Sequence, residues 1–528
     1  MYGSKGEKTI GFPLLVFCTK GTEETILNKK LIYDIQDRPK LGNMIIFALQ
    51  QLLAILAATI AVPTIIGIPT QIPAAIFGAG VGTLVYQLFT RFKSPVFLGS
   101  SFAFLSSLGV AVAYGYCGII LGSIVAGLVY VVIAVVIHFV GTDWVSKLMP
   151  PVIIGPTVAL IGLSLAGAAM GDIVKANSSV LYGSNNLVAL VCGLVTFFTV
   201  IICSTQKKYT MPKLVPFIIG IGVGYVVASL FTVIGIVADA DYLKIVNWQP
   251  VVNNFVDANG EFRGLAAFLD FPKLAIIGAF EELIDGEISG EILAANGQAS
   301  LLNLGGVAEV VIAFLPVALV VFAEHIADHK NLSYIIDKDL IKEPGLKRTL
   351  LGDGVGSIAG TVFGICPNTT YGESVGCVAI TRNASVVTIT TTAFMCIGLS
   401  FVSPIMVILQ TIPSCVMGGV CLTLYGFIAV SGLKMFKELD LNDNKNLFVV
   451  SAILISGIGG LTIQIPYALA DNGAIAKTIQ ITSIATALIL GIVTNAILTK
   501  VEKSKLGKET VEEASEEVEN TEEVAEVK

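Results

Sequence analysis

Charge is what this sequence has least of. Only 13% of its 528 residues are charged, against about 25% in an ordinary soluble domain. With 54% hydrophobic residues and a mean hydropathy of +0.83, too few polar side chains remain to cover a globular surface. A soluble multidomain enzyme is excluded, and the bilayer is the expected solvent. Histidine is scarce, with 3 residues, and tryptophan scarcer, with 2. The nine cysteines stand singly, mostly in apolar stretches (Cys192, Cys203, Cys396, Cys421), without a CxxC pair. Neither disulfides nor a metal site is expected from them. No GxSxG, HExxH, P-loop or Rossmann pattern occurs in a credible context, so an enzyme is not expected. The net charge of −7 is carried mostly by residues 500–528, where five lysines face ten glutamates. The small remainder excludes a basic nucleic-acid-binding face. The apolar patch Ile10 to Phe17 is broken by Pro13 and is too weak for a signal peptide.

What the sequence has in abundance is apolar runs long enough to cross a membrane. They fall near 42–66, 73–90, 95–112, 117–141, 148–170, 186–205, 212–238, 305–326, 347–366, 367–384, 385–408, 413–433, 446–465 and 473–499. With both termini in the cytoplasm, 27 Lys and Arg fall on inner segments and five (Lys175, Lys244, Arg263, Lys273, Lys477) outside, as the positive-inside rule requires. The expected organisation is a cytoplasmic extension 1–41, a first repeat 42–238, an outer connection 239–304, a second repeat 305–499 and a disordered acidic cytoplasmic tail 500–528. Seven spans per half is an odd number, so the second half runs opposite to the first, the inverted-repeat logic of secondary transporters. Echoes agree: Pro150 precedes Gly155 in the fifth span as Pro413 precedes Gly418 in the twelfth. In the acidic connection, Glu281, Glu282, Asp285, Glu287 and Glu291 read as a solvated loop, or alternatively as a cation-attracting vestibule.

The third and tenth spans carry matching polar interruptions. One reads Ser94-Pro95-Val96-Phe97-Leu98-Gly99-Ser100-Ser101, the other Cys366-Pro367-Asn368-Thr369-Thr370-Tyr371-Gly372-Glu373. Pro, Gly, Asn and Thr disfavour a continuous helix, yet unwound backbone at membrane depth must find hydrogen-bond partners. Two extended pieces pairing with each other would supply them. Half-helices would then begin near Phe102 and Glu373, with N–H groups aimed at the midplane. Matched interruptions of this kind point to a binding site.

Few ionisable residues enter the spans, and such residues mark pathways or relays. Glu324 lies in the eighth span and Asp328 one turn later on the same face. His325 points elsewhere, and His138 is expected to be structural. Glu373 opens the proposed half-helix, where the dipole favours a carboxylate. Two carboxylates suit a neutral ligand with ring N–H donors, and suit an anion badly unless a proton is shared. Phe102 and Tyr425 are candidates to flank a planar ligand.

The run Pro367 to Gly376, followed by Ala379-Ile380-Thr381-Arg382, resembles the signature of the nucleobase–ascorbate transporters, and more narrowly that of bacterial uracil permeases. Phe322-Ala323-Glu324-His325, Leu98 to Phe104, Val416-Met417-Gly418-Gly419 and Leu424-Tyr425-Gly426 extend the resemblance over about 42–500. It implies an all-α polytopic membrane protein with 14 transmembrane segments in a 7+7 inverted repeat. Core and gate domains, and short antiparallel strands in segments 3 and 10, belong to the same expectation. It implies that Glu324 and Glu373 hydrogen-bond a uracil ring and that the N–H groups of Phe102 and Gly372 meet its carbonyls. Tyr371 and Tyr425 would line the pocket. Protons would be the coupling ion, through Glu324 with Asp328 as a further group. The expected partners are a small-molecule nucleobase and membrane lipids, with no nucleic acid and with homodimerisation left open. The expected location is the plasma membrane, and no cofactor is expected. Asp328 and Gln51 stand where uracil permeases carry histidines, and Ser374 where Asn is common. A third carboxylate favours Na⁺ or an altered pH dependence, and xanthine or another purine remains the alternative substrate. An anion, as in the related sulfate carriers, fits two site acids poorly.

Overall fold

The computed structural model describes residues 31–175, 187–206, 210–256, 260–469 and 475–502. Most of the N-terminal extension and of the acidic tail lie outside them. The first half contains helices α1 (Leu41–Ile65) and α2 (Ile72–Phe89), strand β1 (Leu98–Ser100), and helices α3 (Leu105–Val112), α4 (Gly115–Val140), α5 (Pro151–Asp172), α6 (Leu187–Thr205) and α7 (Pro216–Val237). The second contains α8 (Leu304–Ile336), α9 (Leu346–Val362), strand β2 (Asn368–Thr370), α10 (Gly372–Thr381), α11 (Val386–Ser400), α12 (Ser414–Lys434) and α13 (Asn444–Ile458). Strands β3 (Ile463–Leu469) and β4 (Ile475–Ile481) and helix α14 (Ser483–Glu502) follow. Among the described residues, nine helices are long and apolar enough to cross a membrane, with three shorter apolar ones beside them.

Local chemistry sets the helix ends. Asn303 caps α8 by accepting the Gly306 N–H at 2.9 Å, and Asp443 caps α13 by accepting that of Lys445 at 3.0 Å. Prolines stand in the first turns of α2, α5 and α7, where their missing N–H costs nothing. Pro63, Pro156 and Pro316 lie inside α1, α5 and α8, a placement that intramembrane packing tolerates.

The helices pack in two sets. In one, α9 lies between α2 and α4, and α11 packs on α1 and α2, with α8 against α4. In the other, α12 crosses α5 and α6, α7 packs on α6, and α13 packs on α5. Small residues let the backbones touch. A Cβ at Gly78 would stand 2.1 Å from the Gly360 carbonyl oxygen, and one at Gly162 would stand 2.2 Å from that of Tyr425. Dispersion at such close crossings replaces the hydrophobic drive that lipid cannot supply. Contacts of α8 with α5, and of α7 and α12 with α1, join the sets.

The structure departs from the expected spans in three places. The runs 446–465 and 473–499 are not two plain helices: α13 ends at Ile458, and β3 pairs antiparallel with β4 to form a hairpin before α14. Gly460, with φ of +73°, breaks the helix, and the β-branched Ile463, Ile465, Ile475 and Ile481 favour extended backbone. The run 385–408 breaks after Ser400, and a short helix Ser403–Gln410 follows with Pro404 in its first turn. Helix α8 runs ten residues past the expected 326, to Ile336. At the same end of the molecule the chain before α1 clasps the exit of α10: Ile32 N–H donates to the Arg382 carbonyl, and Val386 N–H donates to that of Ile35.

Candidate functional site

The two interrupted segments meet. Strand β1 pairs antiparallel with β2, Leu98 opposite Thr370 and Ser100 opposite Asn368. The ladder is extended by Tyr371 N–H to the Phe97 carbonyl and Ser101 N–H to that of Pro367. Its outer edge is closed by Thr83, whose hydroxyl donates to the Leu98 carbonyl at 3.1 Å and accepts the Leu98 N–H at 2.9 Å. Asn368 reaches the Gly78 carbonyl at 3.0 Å. Non-helical backbone is thus satisfied by its counterpart strand and by α2. Helix α10 starts directly from β2, and a 3₁₀ turn, Phe102–Phe104, leads from β1 into α3. Each half-helix begins beside the strand pair, where its first N–H groups have no intrahelical carbonyl.

The carboxylates gather here. Glu324 and Asp328 stand one turn apart on α8, which packs on α10, β2 and the 3₁₀ turn. A Cβ built on Gly372 would lie 3.9 Å from Asp328 Oδ1. Asp328 is buried and accepts the Thr370 hydroxyl at 2.6 Å. Glu373 is buried and Glu324 half-buried. Glu324 Oε2 and Glu373 Oε1 are inaccessible and have no hydrogen-bond partner. Two orphaned carboxylate oxygens beside two helix starts form a concentration of unmet polar valence that burial makes costly.

The aromatics take different places. Phe102 and Tyr425 are buried in edge-to-face contact, with ring centroids 5.4 Å apart, so in this conformation they face each other. Tyr371 packs its ring on Gly99, donates its hydroxyl to the Ser100 carbonyl at 3.0 Å, and lies 3.3 Å from the Thr59 hydroxyl. It braces the strand pair from below. Gln51 of α1 donates to the Ser374 hydroxyl of α10. Two of the three positions that depart from the uracil-permease pattern, Gln51 and Ser374, are therefore bonded to each other.

Sequence reasoning missed a second buried network. Asp353 of α9 is fully buried, a carboxylate that the sequence reading did not single out beside Glu324, Glu373 and Asp328. His325 turns away from Glu324 and places Nδ1 2.6 Å from Asp353 Oδ2 and Nε2 3.0 Å from the Thr349 hydroxyl. His329 stacks on it, with centroids 4.1 Å apart, and its Nε2 lies 2.7 Å from the Tyr86 hydroxyl, which donates to Ser94. An acid inside the apolar run 347–366 was the available signal.

The acidic connection is also more than a solvated loop. Glu282 accepts the N–H groups of Tyr116 and Cys117 at 3.1 and 3.3 Å, capping α4 from another segment, beside Gly115 with φ of +68°. Glu291 accepts from Gln71 at 2.6 Å and from the Tyr116 hydroxyl at 3.1 Å. Burial holds the Glu282 carboxyl above the ordinary glutamate range, against the opposing pull of those N–H groups. Among the described residues, no group of three or more His, Cys, Asp or Glu is arranged to hold a metal ion.

The model of a permease family matches residues 42–282 and 298–466. The uracil permease of Bacillus caldolyticus is 35% identical over 474 residues, covering 89% of this chain and 95% of that protein. That of Bacillus subtilis is 34% identical over 480 residues, and that of Escherichia coli K12 is 31% identical over 452, covering 96% and 92% of those proteins and 89% and 85% of this chain. Among solved structures, SLC26A9 superposes with a TM-score of 0.51 at 11% identity, over 88% of this chain and 66% of that one. That similarity concerns fold alone. An integral multi-pass architecture, the paired interrupted segments and these relatives converge: the chain belongs to the nucleobase–ascorbate transporter family, and is a permease rather than an enzyme.

Proposed function

We propose that this protein imports uracil by cation symport across the plasma membrane. In this reading Glu324 and Glu373 hydrogen-bond the ring N–H groups, and the backbone N–H groups of Phe102 and Gly372 meet its carbonyls. Tyr371 and Tyr425 line the pocket. The observation that carries the reading is the pair of buried, partnerless carboxylate oxygens, Glu324 Oε2 and Glu373 Oε1, beside the starts of two half-helices. A planar ligand offering donors on one edge and acceptors on another satisfies both sets. The relatives named uracil permeases support the same substrate.

The coupling ion is a proton taken up at Glu324, with Asp328 as a further group. Transport proceeds by alternating access, the set of helices holding β1 and β2 (the core) moving against the set built on α5, α6, α7 and α12 (the gate). Fourteen segments in a 7+7 inverted repeat, with both termini cytoplasmic, account for this arrangement. Na⁺ is the second reading for coupling, since Asp328 adds a carboxylate where the uracil-permease pattern has histidine. Xanthine is the second reading for substrate.

Radiolabelled uracil uptake into proteoliposomes under imposed proton or Na⁺ gradients tests all of this. Proton-driven uptake that Glu373→Gln abolishes is expected. Uptake of xanthine with none of uracil overturns the substrate, and uptake driven only by Na⁺ overturns the proton.

A further inference from the structure

The connection from α7 to α8 carries two concentrations of exposed apolar residues, of a kind that water-facing surfaces rarely keep. The first is the stretch 260–271, where Phe262, Leu265, Phe268, Leu269 and Phe271 are each more than half exposed. The rings of Phe255 and Phe262 both meet that of Phe268 edge-on, with centroids 6.0 and 6.2 Å apart, so the patch is continuous. The second is the helix Ala275–Asp285. It buries Ala275, Gly278, Ala279 and Glu282 on the side that packs on α4. Ile277, Phe280 and Ile284 follow the helical repeat on another side, with Leu283 beside them, and Ile284 is 80% exposed. Glu281 and Asp285 form a strip between the two sides. The helix therefore has a small-residue side set in protein, an acidic strip, and an apolar side left exposed.

Both patches sit where apolar helices end. The stretch 260–271 is stitched to the connector between α11 and α12. Leu269 bridges Val402 in antiparallel fashion, Asp270 N–H donates to the Phe401 carbonyl at 3.1 Å, and Ser403 N–H donates to that of Phe268 at 3.0 Å. Phe271 meets Phe401 edge-on at 5.4 Å, and Phe401 meets Phe77 of α2 at 5.9 Å. The connector's own helix, Ser403–Gln410, leaves Ile405 and Ile408 exposed. The helix Ala275–Asp285 is fixed at a similar level. Its Ala275 N–H donates to the Gly364 carbonyl just past the end of α9, and its Glu282 caps the start of α4. The ends of spanning helices mark the bilayer boundary, the layer in which aromatic side chains settle.

The charges bordering the patches are already matched. Arg263 stands 3.8 Å from Asp270, and Lys273 stands 3.8 Å from Glu281. No surplus cation is left to select an anionic headgroup, so what the surface offers is apolar area and rings.

We propose that these two patches seat the connection in the bilayer interface, with the glycerol and upper acyl region of the adjoining leaflet as their partner. They continue the surface of the spans, where Phe394 of α11 and Leu128 of α4 are likewise more than half exposed. Lipid covers both patches at once because it needs no matched shape, only apolar area at the right depth. The seating does not depend on which substrate is carried.

The test uses the purified full chain in phosphatidylcholine nanodiscs containing a phosphatidylcholine with a diazirine in its upper acyl chain. Adducts formed on illumination are mapped by peptide mass spectrometry, and a water-soluble diazirine is run in parallel. Lipid adducts on 262–271 and 277–284 are expected at a yield within about threefold of that on Phe394 and Leu128, with Glu287 reached only by the water-soluble reagent. Labelling of both patches by the water-soluble reagent alone overturns the seating. Protection from both reagents in discs holding two chains, absent in discs holding one, assigns the cover to a second copy and overturns it too. Leu265→Asp combined with Leu269→Asp should lower the lipid yield on 260–271 at least about fivefold and spare 277–284, and Ile284→Asp should do the reverse. Unchanged yields in variants with parental thermal unfolding overturn the apolar contact. A diazirine phosphatidylglycerol at the same mole fraction should label both patches equally well; a preference of about tenfold or more for it assigns the surface to anionic headgroups and overturns the neutral interface.

Discussion

Replacing Gly99 by alanine adds one methyl group in the middle of β1, and the geometry states what that methyl meets. It would lie 2.3 Å from both Cε2 and Cζ of Tyr371 and 2.8 Å from its hydroxyl oxygen. These are rigid ring atoms of a side chain only 3% exposed, tethered to the Ser100 carbonyl and close to Thr59. The ring cannot swing clear without breaking that bond. Overpacking a well-packed site costs about 1–3 kcal/mol, and the lost hydrogen bond adds about 0.5–1.5 kcal/mol. Together they shift the unfolding equilibrium between about tenfold and about a thousandfold. Equilibrium unfolding in mixed micelles, followed by circular dichroism, reads this directly. The decisive form is a double-mutant cycle with Tyr371→Ala, which removes the obstructing ring. Gly99→Ala should then cost close to nothing. An equal cost in both backgrounds would refute the contact as the cause.

Four further outcomes follow from other contacts. Glu282→Ala should cost about 0.5–2 kcal/mol, the usual worth of a helix N-cap, read as faster proteolysis of the connection 239–304. Because folding holds the Glu282 carboxyl above its ordinary value of 4.5, the protonated form is favoured in the native state. Its contribution is complete below that ordinary value and lost as pH rises through the raised one, and Glu282→Gln should remove this slope from a stability–pH profile. Asp353→Leu leaves a ring nitrogen of the buried His325 unpaired and should cost about 1–3 kcal/mol, seen as a lowered unfolding midpoint with the histidine stack disordered by NMR. Gln51→His and Ser374→Asn should each weaken uracil binding when made alone and recover together, with a coupling of about 0.5–3 kcal/mol; additive losses in equilibrium binding would show the two positions to be independent.

How much of this was legible in the sequence differs by element. The paired strands were legible because Pro, Gly, Asn and Thr in two apolar runs leave backbone groups that only a matching extended segment can satisfy. Glu324 and Glu373 stood out because carboxylates are rare in such runs, and the structure leaves one oxygen of each buried and without a partner. The hairpin of β3 and β4 was hidden because its residues are as apolar as a helix and hydropathy does not distinguish the two. Its clues were local: Gly459-Gly460, the isoleucines at alternate positions, and Lys477 amid an apolar run. The pairing of His325 with Asp353 links residues 28 apart in sequence on two different helices, and no periodicity reports it. Glu282 was read as solvated because its charge says so. Its burial depends on a helix start 166 residues away.

The glycine contacts bear on how mutational data for this protein should be read. At Gly78 and Gly162 one added carbon would collide with a facing carbonyl oxygen at about 2 Å. A saturation screen scored by growth on a limiting nutrient would therefore rank these positions beside Glu373. Scoring the same library by surface-exposed epitope or by fluorescence of a C-terminal fusion separates the two kinds of loss. Glycine alleles are expected to vanish from both selections, whereas Glu373 alleles, in the role proposed above, should vanish only from growth.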